Sequence, residues 1–319
     1  MDFEVNEDEA ALQEGIRVFC EGRFPIETVR DLEGQGGVDP DRWRELGETG
    51  VFSLRLPEDQ GGVGLGMTEA ALVFEQLGRA AVPGPVLATH LAAGLVDGAA
   101  DGSTVVGAIE RPARPLLVEH LDALDVLIAV DDDGVHALDP ADLDGRAVEP
   151  MDPLTPMHQV ADLPEGERLG GPEVVAAWRR EGATLTAALM LGLADGAMSL
   201  AVGYAKEREQ FNRPIGSFQA VKHLCADMLT RTELARSAVY AAAVTLDGRG
   251  VDDPDRMVAA AKITAGQAAV ANGKSCIQVH GGMGFTAEVD AHLYLKRALV
   301  LETWFGSVDD HSEAVAATL

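Results

Sequence analysis

Basic charge, cysteine and long apolar runs are all scarce in this chain of 319 residues. Only 25 basic side chains stand against 52 acidic ones, a formal net charge of -27. That balance argues against nucleic acid or an anionic membrane as a partner, and against an anionic substrate unless a local basic patch exists. Cys20, Cys225 and Cys276 are few, odd in number and set in apolar helical patterns, which predicts packed thiols in a reducing compartment. No metal-ligand spacing occurs, so no metal is expected. The opening Met1-Asp2-Phe3-Glu4 lacks the basic and apolar regions of a signal peptide. The most apolar run, Ala183 to Ala194, stops at Asp195 and is too short to span a bilayer. The expectation is a cytoplasmic protein with neither a membrane nor a nucleic-acid partner.

What is present is an ordinary folded composition, 47% hydrophobic and 24% charged, with length enough for two or three domains. Asn6 to Phe24 repeats apolar residues near a 3.6-residue period, with acids early and arginines late, as a helix dipole favours. Asp41 to Glu48, Glu69 to Arg79 and Val86 to Val96 read as further helices, and Thr68 is placed to cap the second of them. From about Ser103 short apolar runs take over: Val105 to Ile109, Leu116 to Val118, Val126 to Val130, and Val135 to Leu138 after the hairpin signal Asp131-Asp132-Asp133-Gly134. Ala147-Val148 and His158 to Leu163 add candidate strands. After Gly171 come four long helical patterns: Val174 to Lys206, Phe218 to Leu246, Arg256 to His280, and Ala291 to Phe305, the last clear helix. In the second of these the apolar stripe includes Leu229 and Leu234. The fold class is therefore mainly α with a small β domain. The expected parts are an N-terminal helical domain (1–102), a reduced β domain (103–170) and a C-terminal antiparallel four-helix bundle (171–319).

Two stretches have residue types suited to chemistry. In Lys206 to Gln219, Arg208 ends one helix and Ser217 is placed to cap the next, after a Pro214-Ile215-Gly216 turn. A guanidinium beside a helix N-terminus suits a pyrophosphate; solvated surface charges around a plain turn explain the same residues. In Gln278-Val279-His280-Gly281-Gly282-Met283-Gly284-Phe285, three glycines follow a helix. They suit close backbone approach to a ligand, or a helix C-cap.

Both stretches resemble the acyl-CoA dehydrogenase family, flavoenzymes that oxidise the α,β bond of an acyl-CoA. The family pattern Arg-x-x-Phe-x-x-Pro-Ile-x-x-Phe-Gln is matched by Arg208, Phe211, Pro214, Ile215, Phe218 and Gln219. Its Gln-x-x-Gly-Gly-x-Gly pattern is matched by Gln278, Gly281, Gly282 and Gly284. Pro57-Glu58-x-x-Gly61-Gly62 and Glu75-x-Leu77-Gly78-Arg79 also look like family signatures. The resemblance implies a helical, β, helical architecture. It implies that Arg208, Glu209, Gln210, Phe211, Phe218, Gln219 and Gln278, Val279, His280, Gly281, Gly282 hold the pyrophosphate and adenosine half of an FAD across a subunit interface.

The chain departs from the family where the flavin ring and the base belong. Between Thr104 and Glu167 there is no Trp, no Ser and nothing like the family's flavin-ring loop. The two family positions for the catalytic Glu fall on Phe305 and Gly182. Glu302 and Glu181 are the substitutes to weigh, although Glu181 points about 100° from Gly182 on a continuous helix. The resemblance thus implies a degenerate subunit that completes the FAD site of a homologous catalytic partner, as in α₂β₂ bacterial enzymes acting on steroid side-chain CoA esters. The partner would hold most of the acyl-CoA, and an electron-transfer flavoprotein or similar acceptor would take the electrons. The rivals are a self-sufficient homomeric dehydrogenase with a relocated base, and a non-enzymatic scaffold of the same fold.

Overall fold

The computed structural model describes residues 5–111, 115–250 and 253–317. In chain order its elements begin with α1 (Glu7–Arg23), α2 (Ile26–Asp31), α3 (Pro40–Glu48), α4 (Met67–Arg79) and α5 (Val86–Ala92). Seven strands follow: β1 (Val106–Glu110), β2 (Leu116–Glu119), β3 (Val126–Val130), β4 (Val135–Leu138), β5 (Gly145–Val148), β6 (Met157–Val160) and β7 (Glu167–Gly170). The rest is α6 (Pro172–Glu207), the short pair β8 (Glu209–Gln210) and β9 (Arg213–Pro214), then α7 (Gln219–Leu246), α8 (Pro254–His280), α9 (Ala291–Leu301) and α10 (Val308–Ala316). The expected mainly helical fold with a small β domain is what forms. Within the described residues there are two compact units, one drawing on Met1–Arg30, Met67–Val82 and Ala183–Leu319, the other on Asp31–Gly66 and Pro83–Gly182.

In the second unit the strands form two sheets, ordered β1-β3-β4-β7 and β2-β6-β5. β1 and β3 run parallel with Val106 opposite Val126, while β3 and β4 form the expected hairpin. Its turn is held by the Asp131 carboxylate, which accepts from the amides of Asp133 and Gly134 at 3.0 Å. Apolar side chains from both sheets, among them Ile109, Leu116, Val118, Leu127, Leu138 and Val160, close the core. α5 is tied to the sheet where Thr89 Oγ1 accepts from the Val106 amide (3.0 Å) and donates to the Val106 carbonyl (3.2 Å).

The first unit is helical. Asn6 and Glu9 cap α1 reciprocally, each side chain accepting from the other's amide at 2.9 Å. α4 and the part of α6 from Ala183 onward approach so closely that added methyl groups would collide. A Cβ at Gly78 would lie 2.0 Å from the Leu189 carbonyl oxygen, and one at Gly192 2.0 Å from that of Glu75. The Glu75-x-Leu77-Gly78-Arg79 signature is accounted for here. Glu75 is buried and paired with Arg236, Leu77 is core, Gly78 permits the close approach and Arg79 pairs with Asp195. Across the bundle, the buried Asn272 amide donates to the carbonyls of Ala194 and Met228 and to the Thr232 hydroxyl, joining α6, α7 and α8.

Several local expectations are corrected. Thr68 lies inside the first turn of α4. The cap is Asp247, whose carboxylate accepts from the amides of Met67 (2.7 Å) and Thr68 (3.0 Å). Ser217 belongs to a 3₁₀ turn over Ile215–Ser217, and α7 begins at Gln219 with no side-chain cap. The helix expected to reach Val96 ends at Ala92. The one expected to reach Phe305 ends at Leu301, and α10 lies beyond it behind a Ser307–Asp310 capping box. Leu229 and Leu234 on α7 are exposed, outside the core stripe. Finally, the apolar run from Ala183 stops at Asp195 but the helix that holds it does not. That helix is the 36-residue α6, which is long and apolar enough to cross a membrane, but 78% of its most apolar window is buried inside the fold. Those side chains fill the bundle, and Asp195 within them is paired with Arg79 at 2.6 Å.

Candidate functional site

After α6 ends, the Arg208 amide donates to the Tyr204 carbonyl (2.8 Å) and the chain reverses in a two-residue hairpin. Glu209 pairs with Pro214 and Gln210 with Arg213, and the Ile215 amide donates to the Arg208 carbonyl at 2.8 Å. The two turn residues, Phe211 (φ 54°) and Asn212 (φ 62°), are both left-handed, the signature of a type I′ turn. Asn tolerates that conformation; an aromatic residue rarely adopts it. Gly216 is required for a different reason, since a Cβ there would sit 2.8 Å from the Ala205 carbonyl oxygen.

The hairpin lays its functional groups open. Arg208, Glu209, Gln210 and Gln219 are exposed, and Phe211 is 86% exposed. Among the described residues no acid pairs with Arg208. The Phe218 ring meets Phe211 edge-on, centroids 6.0 Å apart, and has the Arg213 guanidinium 4.1 Å above its face.

The second stretch lies alongside the first. α8 ends at His280, whose ring stacks on Tyr204 at 4.2 Å, one turn before Arg208. His280 Nδ1 lies 2.8 Å from the Cys276 carbonyl oxygen, which can only accept, so that nitrogen carries the proton. Val279 and His280 are buried and anchor the turn, whereas Gln278, Gly281 and Gly282 are exposed. The glycines differ in purpose. Gly281 has φ 60° and ψ -135°, a region closed to other residues, and Gly284 packs where a Cβ would be 2.4 Å from the Ile277 carbonyl oxygen. A Cβ on Gly281 or Gly282 would meet nothing within 4 Å, so the backbone there is approachable from outside, while the Gly281 amide itself donates to the Gln278 carbonyl.

The expected base positions contain no free carboxylate. Phe305 (φ 54°) and Gly306 (φ 95°) form a turn, and His311 Nε2 donates to the Phe305 carbonyl at 2.9 Å. Burial holds the His311 imidazole below its ordinary pKa. Gly182 is buried within α6. Glu302 accepts from the Val308 amide (2.9 Å), holding the start of α10, and Glu181 is ion-paired with Arg55. Beneath the Glu302 turn, burial pulls the Lys262 ammonium down to about 8.

Tyr204 and Arg213 escaped the sequence reading. Tyr204 sits one helical turn before Arg208, a spacing that places both near the same helix end. Arg213 faces Gln210 only once the hairpin is known.

A family model described as acyl-CoA dehydrogenase, C-terminal domain, matches residues 173–319, and one described as acyl-CoA dehydrogenase, N-terminal domain, matches residues 6–100. The chain is 32% identical over 311 residues to the acyl-CoA dehydrogenase IpdE2 of Mycolicibacterium smegmatis, covering 92% of this chain and 93% of that one. It is 35% identical over 327 residues to the acyl-CoA dehydrogenase FadE34 of Mycobacterium tuberculosis, covering 92% of this chain but 45% of that one. Among solved structures, a Tcur3481–Tcur3483 steroid ACAD variant superposes with a TM-score of 0.85 at 24% identity, covering 98% of each chain. The ChsE4–ChsE5 complex of Mycobacterium tuberculosis does so at 0.81 and 22% identity, covering 99% of this chain and 98% of that one. At those identities the two structures establish a common fold.

Proposed function

The chain belongs to the acyl-CoA dehydrogenase family, and on that premise we propose that it is a subunit of a flavin-dependent acyl-CoA dehydrogenase, supplying the pyrophosphate and adenosine half of an FAD site to a homologous catalytic partner. The observation that carries this reading is the pairing of an open guanidinium with an open glycine turn. Arg208, unpaired among the described residues, lies one helical turn after Tyr204, and Gly281 and Gly282 directly follow His280, whose ring stacks on Tyr204. These residues fit a diphosphate: Arg presents a planar fork of donors to phosphate oxygens, and a backbone without side chains lets a ligand approach closely. Gln219 and Gln278 offer exposed amides to the adenosine half. Bound FAD would accept the electron pair removed from the substrate's α,β bond.

Proton abstraction falls to the partner in this reading. Phe305 has no basic atom, and Glu302 and Glu181 are both engaged within the chain, which weighs against a relocated base. The solved Tcur3481–Tcur3483 steroid ACAD and the ChsE4–ChsE5 complex each combine two different proteins, which supports a heteromeric assembly, proposed here as α₂β₂, and the first supports a steroid as the substrate class, proposed here as a side-chain CoA ester. With a net charge of -27, this chain is better suited to leave the anionic CoA to its partner. An electron-transfer flavoprotein or similar carrier completes the proposed cycle in the cytoplasm.

The test is flavin content after co-expression with the homologous subunit. One FAD per pair of chains supports sharing, and one per chain overturns it. Arg208→Ala should lower the flavin retained on gel filtration about tenfold; undiminished flavin would sink the cofactor-sharing role.

A further inference from the structure

Resting on the cofactor reading above, we propose that Arg213 is a second phosphate-binding residue of this half-site, acting with Arg208 on the FAD diphosphate. The hairpin register supplies the first argument. Gln210 pairs with Arg213, Glu209 with Pro214, and the Ile215 amide bonds the Arg208 carbonyl. Side chains alternate between the faces of a strand and match across a pair, so Arg208, Gln210 and Arg213 share one face while Glu209 takes the other. The turn thereby separates both cations from the acid that lies between them in sequence.

Charge accounting supplies the second. In a chain with 52 acids and 25 bases, Arg17, Arg79, Arg179 and Arg236 each pair with carboxylates. Arg213 has its guanidinium over the Phe218 ring at 4.1 Å and, among the described residues, no carboxylate partner. Like charges on one face of a short hairpin repel, and a bound dianion would turn that repulsion into attraction. The Phe218 ring also restrains the guanidinium while Arg213 stays exposed, so less side-chain freedom is lost when a phosphate binds.

The experiment uses the tagged chain purified from its native host with whatever subunits accompany it, stripped of flavin and titrated calorimetrically with FAD, ADP and adenosine. Arg213→Ala should weaken FAD and ADP about tenfold and leave adenosine unchanged, with Arg213→Lys falling between, because it keeps the charge and loses the planar fork. An unchanged melting temperature in both variants separates this from a structural role. If Arg208→Ala weakens ADP while both Arg213 variants bind like the parent, the Arg213 assignment is overturned and the cofactor reading stands. If the parent binds neither FAD nor ADP, the cofactor reading falls and takes this inference with it.

Discussion

Lys262 is a buried cation of the helical unit, 1% exposed, with its ammonium donating to the carbonyls of Leu301 (3.3 Å) and Glu302 (3.2 Å). Those carbonyls close α9, where the helix dipole favours positive charge. Burial nevertheless lowers its pKa from 10.5 to about 8, opposed by the nearby carboxylates of Glu302 and Asp310. Below that value both folded and unfolded chains hold the proton and the desolvation cost is present in full. Between about 8 and 10.5 the folded chain has released the proton and the unfolded chain has not, so this residue's contribution to stability rises with pH. Urea midpoints of the parent and Lys262→Met, measured from pH 7 to pH 10, should show the parent gaining up to about 3 kcal/mol relative to the variant. A parent that loses ground over that range would contradict the lowered pKa. Two of the three thiols are packed as expected: burial raises Cys20 and Cys276 to about 12, which keeps both protonated, whereas Cys225 is only half-buried.

At the scale of the element, α4 shows what the sequence can and cannot reveal. Its apolar period and its glycine were legible, but the surface Gly78 meets was not. Gly192→Ala would drive a methyl group into the Glu75 carbonyl 2.0 Å away and should cost about 1–3 kcal/mol in denaturant unfolding. A neutral substitution would mean the helices separate freely. The cap of the same helix comes from Asp247, far along the chain, and the adjacent Thr68 lies within the first turn. In the hairpin the sequence pointed to Pro214-Ile215-Gly216 as the turn, because a type I′ turn normally advertises itself by Asn-Gly. Here Phe211 occupies the first central position, and the Pro-Ile-Gly segment leads into a 3₁₀ turn instead.

For the molecule as a whole, the helical unit is joined by polar contacts that span most of the sequence. The Arg236 guanidinium donates twice to Glu75 Oε1 (3.0 and 3.2 Å), the Tyr240 hydroxyl donates to Glu75 Oε2 (2.6 Å), and Gln13 donates to that hydroxyl (3.4 Å). Burial raises the Glu75 pKa, and Arg236 and Tyr240 act against that rise. Removing one member of a buried pair leaves the other uncompensated, so Glu75→Ala should destabilise by about 3–5 kcal/mol in calorimetric unfolding, and Glu75→Gln by less. Equal stability of Glu75→Ala and the parent would show the network to be dispensable. The sequence by itself determined the helix and strand periods, the small β domain and the two motif stretches, because each is written in neighbouring residues through local backbone geometry. Only the tertiary structure decided that Tyr204 stacks on His280, that Glu302 and Glu181 are already engaged, and that Arg213 lies over the Phe218 ring with no carboxylate partner among the described residues. Those outcomes depend on which side chains meet through space, and residue spacing along the chain sets no such meeting.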